Sequence, residues 1–137
     1  MAPRWATSLP DKPYCPNSGE IIRIDFSPQA GHEEKGPHPA LVLSPRAYNK
    51  VSKLCVVCPI TSKKKGYPFE VAIPFGHKTG GVVLADQVKS VSWADRGSTY
   101  VEKAPSALVE DVTAMVAALL QIEVATDQAD VEDSAER

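Results

Sequence analysis

Twelve prolines in a chain of 137 residues constrain the fold more than any other feature of the sequence. Each proline fixes its own φ at about −65°, removes a backbone donor and biases the preceding residue toward extended structure. The chain is therefore expected to fold as short elements separated by constrained turns. The apolar pattern between the prolines is that of strands. In Ile21 to Phe26, Ile22, Ile24 and Phe26 alternate with Arg23 and Asp25, as on a half-buried strand. Ala40 to Leu43 and Leu54 to Ile60 are continuous apolar runs, consistent with central strands. Phe69 to Ile73 alternates again, with Glu70 turned to water. Gly81 to Val91 is rich in valine but broken by Asp86, Gln87 and Lys89, which predicts one long bent strand or two. Tyr100 to Lys103 adds a short edge.

A single long helix closes the pattern. Pro105 stands where a helix would begin, and Glu110 and Asp111 place negative charge toward its positive end. Leu108, Val112, Met115, Leu119 and Ile122 recur at steps of four, three, four and three, which makes one helical face and predicts a core-facing stripe. Arg46 to Ser52 reads as a short helix or a turn. Five or more short strands with one terminal helix predict a mainly β fold, a small twisted barrel. Residues 1–18 hold Pro3, Pro10, Pro13 and Pro16 without periodicity and read as an irregular arm, leaving one domain over 19–122 and a tail over 123–137.

Charge separates the tail from the rest. From Glu123 onward six acids (Glu123, Asp127, Asp130, Glu132, Asp133, Glu136) stand against Arg137 alone, a net of −5, while the preceding residues carry +3. A mildly basic body with an acidic tail fits a nucleic-acid binder; a solubilising, disordered tail on a neutral domain fits equally. No apolar run approaches the roughly 20 residues that span a bilayer, and Met1-Ala2-Pro3-Arg4-Trp5 is too polar for a signal peptide. A cytoplasmic protein is expected. Cys55-Val56-Val57-Cys58 has the spacing of a metal knuckle, but it lies in a strand-like run where residues three apart face opposite sides. No second ligand pair follows at zinc spacing. Buried structural thiols and no metal are expected.

Two segments could carry chemistry. Ser27 to Pro39 is thirteen residues without strand or helix pattern, and it contains His32, Glu33, Glu34 and His38 as potential acids and bases, with Gly31 and Gly36 for sharp turns. Thr61-Ser62-Lys63-Lys64-Lys65-Gly66-Tyr67-Pro68 offers lysines for phosphate, an aromatic for base stacking and two hydroxyls at a strand end. Each has a bland alternative: a solvated charged loop in the first case, a hairpin that blocks edge-to-edge association in the second.

The blocks Gly19 to Phe26, Pro39-Ala40-Leu41-Val42-Leu43-Ser44-Pro45 and Lys65-Gly66-Tyr67-Pro68-Phe69-Glu70-Val71 resemble the MazF/PemK toxins. So does Gly81 to Ser90, followed by Trp93 and Arg96-Gly97. The blocks occur in family order and the resemblance spans Gly19 to Ile122. It implies an SH3-like β-barrel with a C-terminal helix, a symmetric homodimer, no membrane association and no cofactor. It also implies a toxin paired with an antitoxin of the MazE type, whose C-terminus is acidic and disordered. The implied activity is metal-independent cleavage of single-stranded RNA by attack of the ribose 2′-hydroxyl on the neighbouring phosphate.

By position, Thr61 matches the family's catalytic threonine, and Glu33 an acidic residue of the first loop implicated in catalysis in some members. The family's catalytic arginine precedes the proline of the second block, where this chain has His38. Histidine near neutral pH supplies less charge than arginine and lacks its planar fork, but it is a common general acid or base. Lys63, Lys64, Lys65, Tyr67, Gln87 and Lys89 are the candidate RNA contacts. Two further readings stay open: a weakened homologue that binds RNA or antitoxin without efficient cleavage, and a gyrase poison like the CcdB toxins, which share the barrel.

Overall fold

A computed structural model of the chain describes residues 14–26 and 36–123. Its elements are β1 (Glu20–Asp25), β2 (Pro37–Val42), α1 (Arg46–Ser52), β3 (Leu54–Thr61), β4 (Glu70–Ala72) and β5 (Val82–Leu84). A 3-10 turn (Ala85–Gln87), β6 (Lys89–Ser92), β7 (Thr99–Lys103) and α2 (Ser106–Leu119) complete them. The valine-rich run is thus two strands, separated where Asp86 and Gln87 interrupt it. Neighbouring strands are antiparallel in the order β4-β5-β3-β2-β1-β7, with β6 on the remaining length of β3. The ladder does not close among the described residues, so the predicted barrel is open, with edges at β4, β6 and β7.

The long strand β3 organises the rest. Leu54 to Val57 pair with β6, Val57 to Pro59 with β2, and Ile60 and Thr61 with β5. A strand shared between two sheets must bury both faces, which is why its sequence is continuously apolar rather than alternating. Two cores follow. Ile21, Leu41, Cys58, Ile60 and Val83 pack under Leu108 and Val112 of α2, while Ile22, Ile24, Phe26, Val42, Cys55 and Val57 pack with Val91 and Trp93. Cys55 and Cys58 point into different cores, as three-residue spacing on a strand requires, so they cannot share a metal ion. Burial pushes both thiols up to about 12.

The thirteen-residue loop is shorter than the sequence predicts, because Pro37, His38 and Pro39 belong to β2. Phe26 N–H donates to the Gly36 carbonyl at 2.8 Å, and the register opposes Asp25 to Pro37, Ile24 to His38 and Arg23 to Pro39. Antiparallel pairs alternate between hydrogen-bonded and non-hydrogen-bonded. The prolines therefore occupy positions whose missing N–H faces away from β1. The β2–β3 pairing runs only over Ala40 to Val42, so no ladder bond is lost there.

The helical stripe is also corrected. Leu108 and Val112 are buried and Met115 is half-buried, but Leu119 and Ile122 are 48% and 57% exposed. The helix ends at Leu119, so the last two positions of the stripe have left the core it covers. No helix of the described residues is long and apolar enough to cross a membrane.

Candidate functional site

Thr61 is the last residue of β3, paired with Val82 of β5. The sequence suggests an exposed hydroxyl at a strand end, yet the residue is only 8% exposed. Its Oγ1 accepts the N–H of Lys63 at 3.1 Å, which turns the chain out of the strand. A hydroxyl that accepts through oxygen keeps its own proton to donate. The return strand crowds this end. Gly81 has φ of +107°, and a Cβ there would lie 2.2 Å from the Thr61 carbonyl oxygen, so only glycine fits.

Two cavities meet at Thr61 and Lys63. The first, about 510 Å³, is lined by these two with Lys65, Tyr67, Phe69, Glu70, Leu84, Asp86 and Gln87. Tyr67 and Phe69 stack with ring centroids 5.3 Å apart, making an aromatic wall beside the lysines. Glu70 is half-buried, where the alternation predicts a residue turned to water. Its carboxylate accepts the N–H of Lys65 at 3.2 Å and of Gly66 at 2.9 Å, which fixes the lysine loop. Burial raises the pKa of the Asp86 carboxyl; its own backbone hydrogen bond opposes the rise and the negative charge of Glu70 adds to it. The Gln87 Oε1 is buried and has no hydrogen-bond partner among the described residues.

The second cavity, about 310 Å³, is lined by His38, Pro39, Ile60, Thr61, Ser62, Lys63, Thr79 and Gly80. The His38 ring lies 6.5 Å from that of Phe26, and Lys89 Nζ stands 5.3 Å from the same Phe26 ring. Phe26 itself is fully buried, so it is a fixed floor against which both side chains are set.

The fold thus gathers Thr61, His38, Lys63, Lys65, Tyr67 and Gln87 in two adjoining cavities that share Thr61 and Lys63. Lys89 stands over the Phe26 ring and lines neither cavity, and Lys64 is exposed and outside both. Glu33 lies outside the described residues. Glu70, Asp86, Thr79 and Gly80 line the site without having been singled out by the sequence. Asp86 had left a signal as a charge interrupting a valine-rich run; Thr79 had none.

Fold and site define a small, mainly β protein with one C-terminal helix and a basic, aromatic-walled cleft at the end of its longest strand. Residues 17–120 match the family described as PemK-like, MazF-like toxin of type II toxin–antitoxin system. The Escherichia coli K12 protein named endoribonuclease toxin MazF is 49% identical over 86 residues, covering 63% of this chain and 77% of that protein. A crystal structure of MazF from Deinococcus radiodurans superposes with a TM-score of 0.78 at 44% identity, over 80% of this chain and all of that one. A MazE–MazF crystal structure from the same organism gives 0.73 at 39%, over 81% of this chain and all of that one. The chain belongs to the PemK-like, MazF-like toxin family, whose named relatives are endoribonucleases.

Proposed function

We propose that the chain is a toxin that cuts single-stranded RNA by attack of a ribose 2′-hydroxyl on the adjacent phosphorus. The 2′-hydroxyl gives up its proton to a base, its oxygen bonds to phosphorus, and the 5′-oxygen leaves with a proton from an acid. The products are a 2′,3′-cyclic phosphate and a 5′-hydroxyl. The observation that carries this reading is the position of Thr61 where the two cavities meet. A strand of RNA laid across that junction has one base against Tyr67 and Phe69, its phosphates beside Lys63 and Lys65, and the scissile phosphate at the Thr61 hydroxyl. Gln87 Oε1 supplies an acceptor for a base edge in the first cavity. His38, in the second, stands where its ring can donate to the phosphate. Glu33 matches by resemblance an acidic residue implicated in catalysis in some members, and proton transfer is the role proposed for it. Dependence on the 2′-hydroxyl confines the reaction to RNA.

The test is cleavage of a labelled single-stranded RNA in EDTA by the parent and by Thr61→Ala. The parent is expected to cut and leave cyclic phosphate ends. The variant should lose roughly 10²-fold or more, the usual cost of one donor to a transition-state oxyanion, and should still melt as a folded protein, with only the few degrees lost that removing the bond to the Lys63 N–H accounts for. A variant within about threefold of the parent contradicts the assignment of Thr61. The same cleft is proposed to take an acidic antitoxin segment that is disordered when free, since the body before the tail carries net +3 and the lysine loop is exposed. The Deinococcus radiodurans MazE–MazF structures give this partner class its precedent. A purified toxin–antitoxin complex should cut RNA far more slowly than the toxin alone. Full activity in the complex contradicts a shared cleft.

A further inference from the structure

Glu102 sits on the edge strand β7 and lines neither cavity, yet its carboxylate reaches the segment that walls one of them. Its Oε1 accepts the N–H of Lys78 at 3.2 Å and its Oε2 the N–H of Thr79 at 2.8 Å. His77 Nδ1 lies 3.6 Å from Oε1. Burial works to raise the carboxyl's pKa, but the Lys78 N–H, the hydroxyl and N–H of Thr79, and His77 outweigh it. The group is held below the usual carboxylate range and stays charged.

Residues 74–80, between β4 and β5, form neither helix nor strand. Their neck is the bond from Ile73 N–H to the Gly81 carbonyl at 3.0 Å, and Gly81 abuts the Thr61 backbone. Beyond the neck, Thr79 is buried and joins Gly80 opposite His38 and Thr61. A surface segment of this kind has few apolar contacts to hold it. Two successive backbone donors on one ionised acceptor make a fixed point for it, because charge-assisted bonds are the stronger ones. The lysine loop across the site has its own carboxylate, Glu70, in the equivalent arrangement on Lys65 and Gly66.

We propose that Glu102 is a positioning residue for RNA cleavage: it fixes the Thr79–Gly80 wall and with it the spacing of His38 and Thr61 around the scissile phosphate. This rests on the reading of that cavity as the site of cleavage. Glu102 does not line the cleft of Tyr67, Phe69 and Lys65, so its loss is expected to spare RNA binding there.

The test uses the full chain as parent, Glu102→Ala and Glu102→Gln, with kcat and KM measured on one single-stranded RNA and amide hydrogen exchange followed at Lys78 and Thr79. In Glu102→Ala, exchange at both amides should quicken and kcat should fall by about tenfold or more, since small misplacements at a reacting centre carry costs of this size. KM should stay within about threefold, because the binding cleft is held by Glu70. Glu102→Gln keeps one acceptor oxygen for the shorter Thr79 bond and should recover much of kcat. Unchanged exchange in Glu102→Ala overturns the proposal. So does an equal loss in kcat and in RNA affinity that glutamine fails to rescue, which would mark a role in stability alone. A parent that cuts RNA while Glu102→Ala cuts as fast sinks this inference and leaves the proposed function standing. A parent that leaves RNA uncut sinks both.

Discussion

At the scale of single residues, His38 is where this chain departs from the pattern it otherwise follows. The flanking prolines in the sequence predict a stiff, extended backbone, and the residue does sit in register on β2 opposite Ile24, with its ring beside Phe26. That geometry suits a fixed charge on the phosphate. On this account His38→Arg should raise the cleavage rate by about 10²-fold, the value of a permanent donor to the developing charge. Cleavage rates for both proteins, on one RNA at fixed salt and pH, decide it. An arginine variant no faster than the parent would mean that His38 is a proton-transfer group or a bystander. Much of the candidate site could be read from residue type and order alone, because Thr61, the lysines and Tyr67 are contiguous. What stayed hidden comes from other strands. Glu70 looked solvent-facing because alternation predicts which side of a strand a residue takes, not what approaches that side.

At the scale of elements, the strands were legible because each carries its own periodicity, and β3 because its lack of alternation reports burial on both faces. α1 was ambiguous for a physical reason: seven residues are too short for a helical pattern, and it is held by polar bonds that no hydrophobic signal reveals. Asn49 is fully buried in it. Its Nδ2 donates to the carbonyls of Pro16 at 2.9 Å and Ser44 at 3.0 Å, and its Oδ1 accepts from the Ser44 hydroxyl at 2.6 Å. Its backbone carbonyl accepts the Trp93 indole N–H at 3.0 Å. The asparagine therefore ties residues before β1, the end of β2 and the turn after β6 to one short helix. Asn49→Ala takes the amide donor from the two carbonyls of Pro16 and Ser44, each loss worth about 1–3 kcal/mol, while the Ser44 hydroxyl keeps the Val56 N–H. A loss of about 3 kcal/mol is expected, with a melting temperature lowered on the order of 10 °C. Calorimetry would show it, and a fall of less than about 2 °C would mean that water or repacking replaces the side chain.

At the scale of the whole molecule, the described surface leaves apolar groups uncovered along one side. Leu119, Leu120 and Ile122 are exposed at the end of α2, next to a groove of about 610 Å³ lined by Val71, Ala72, Ala114, Met115 and Ala118 with Glu70 and Asp111. β4 is also an edge strand of the sheet, so backbone donors and acceptors border the same groove. Contiguous apolar surface bordered by an open edge marks an interaction site, and a two-fold copy brings the same patch to itself. A homodimer is therefore expected at micromolar concentration. The terminal apolar residues that fail to reach this chain's own core are accounted for if the partner supplies the rest of it. Glu70 gives the arrangement a functional consequence, because it lines this groove and also holds the lysine loop of the cleft proposed to bind RNA. A partner seated in the groove would steady that loop from behind. Ile122→Glu, which puts a charge into the patch at a position already exposed in the single chain, should give monomers by sedimentation while the fold's circular dichroism is kept. Its affinity for RNA should fall with the loss of dimer. A parent that sediments as a monomer at micromolar concentration removes the two-fold account; a monomeric variant with undiminished RNA affinity removes the link through Glu70.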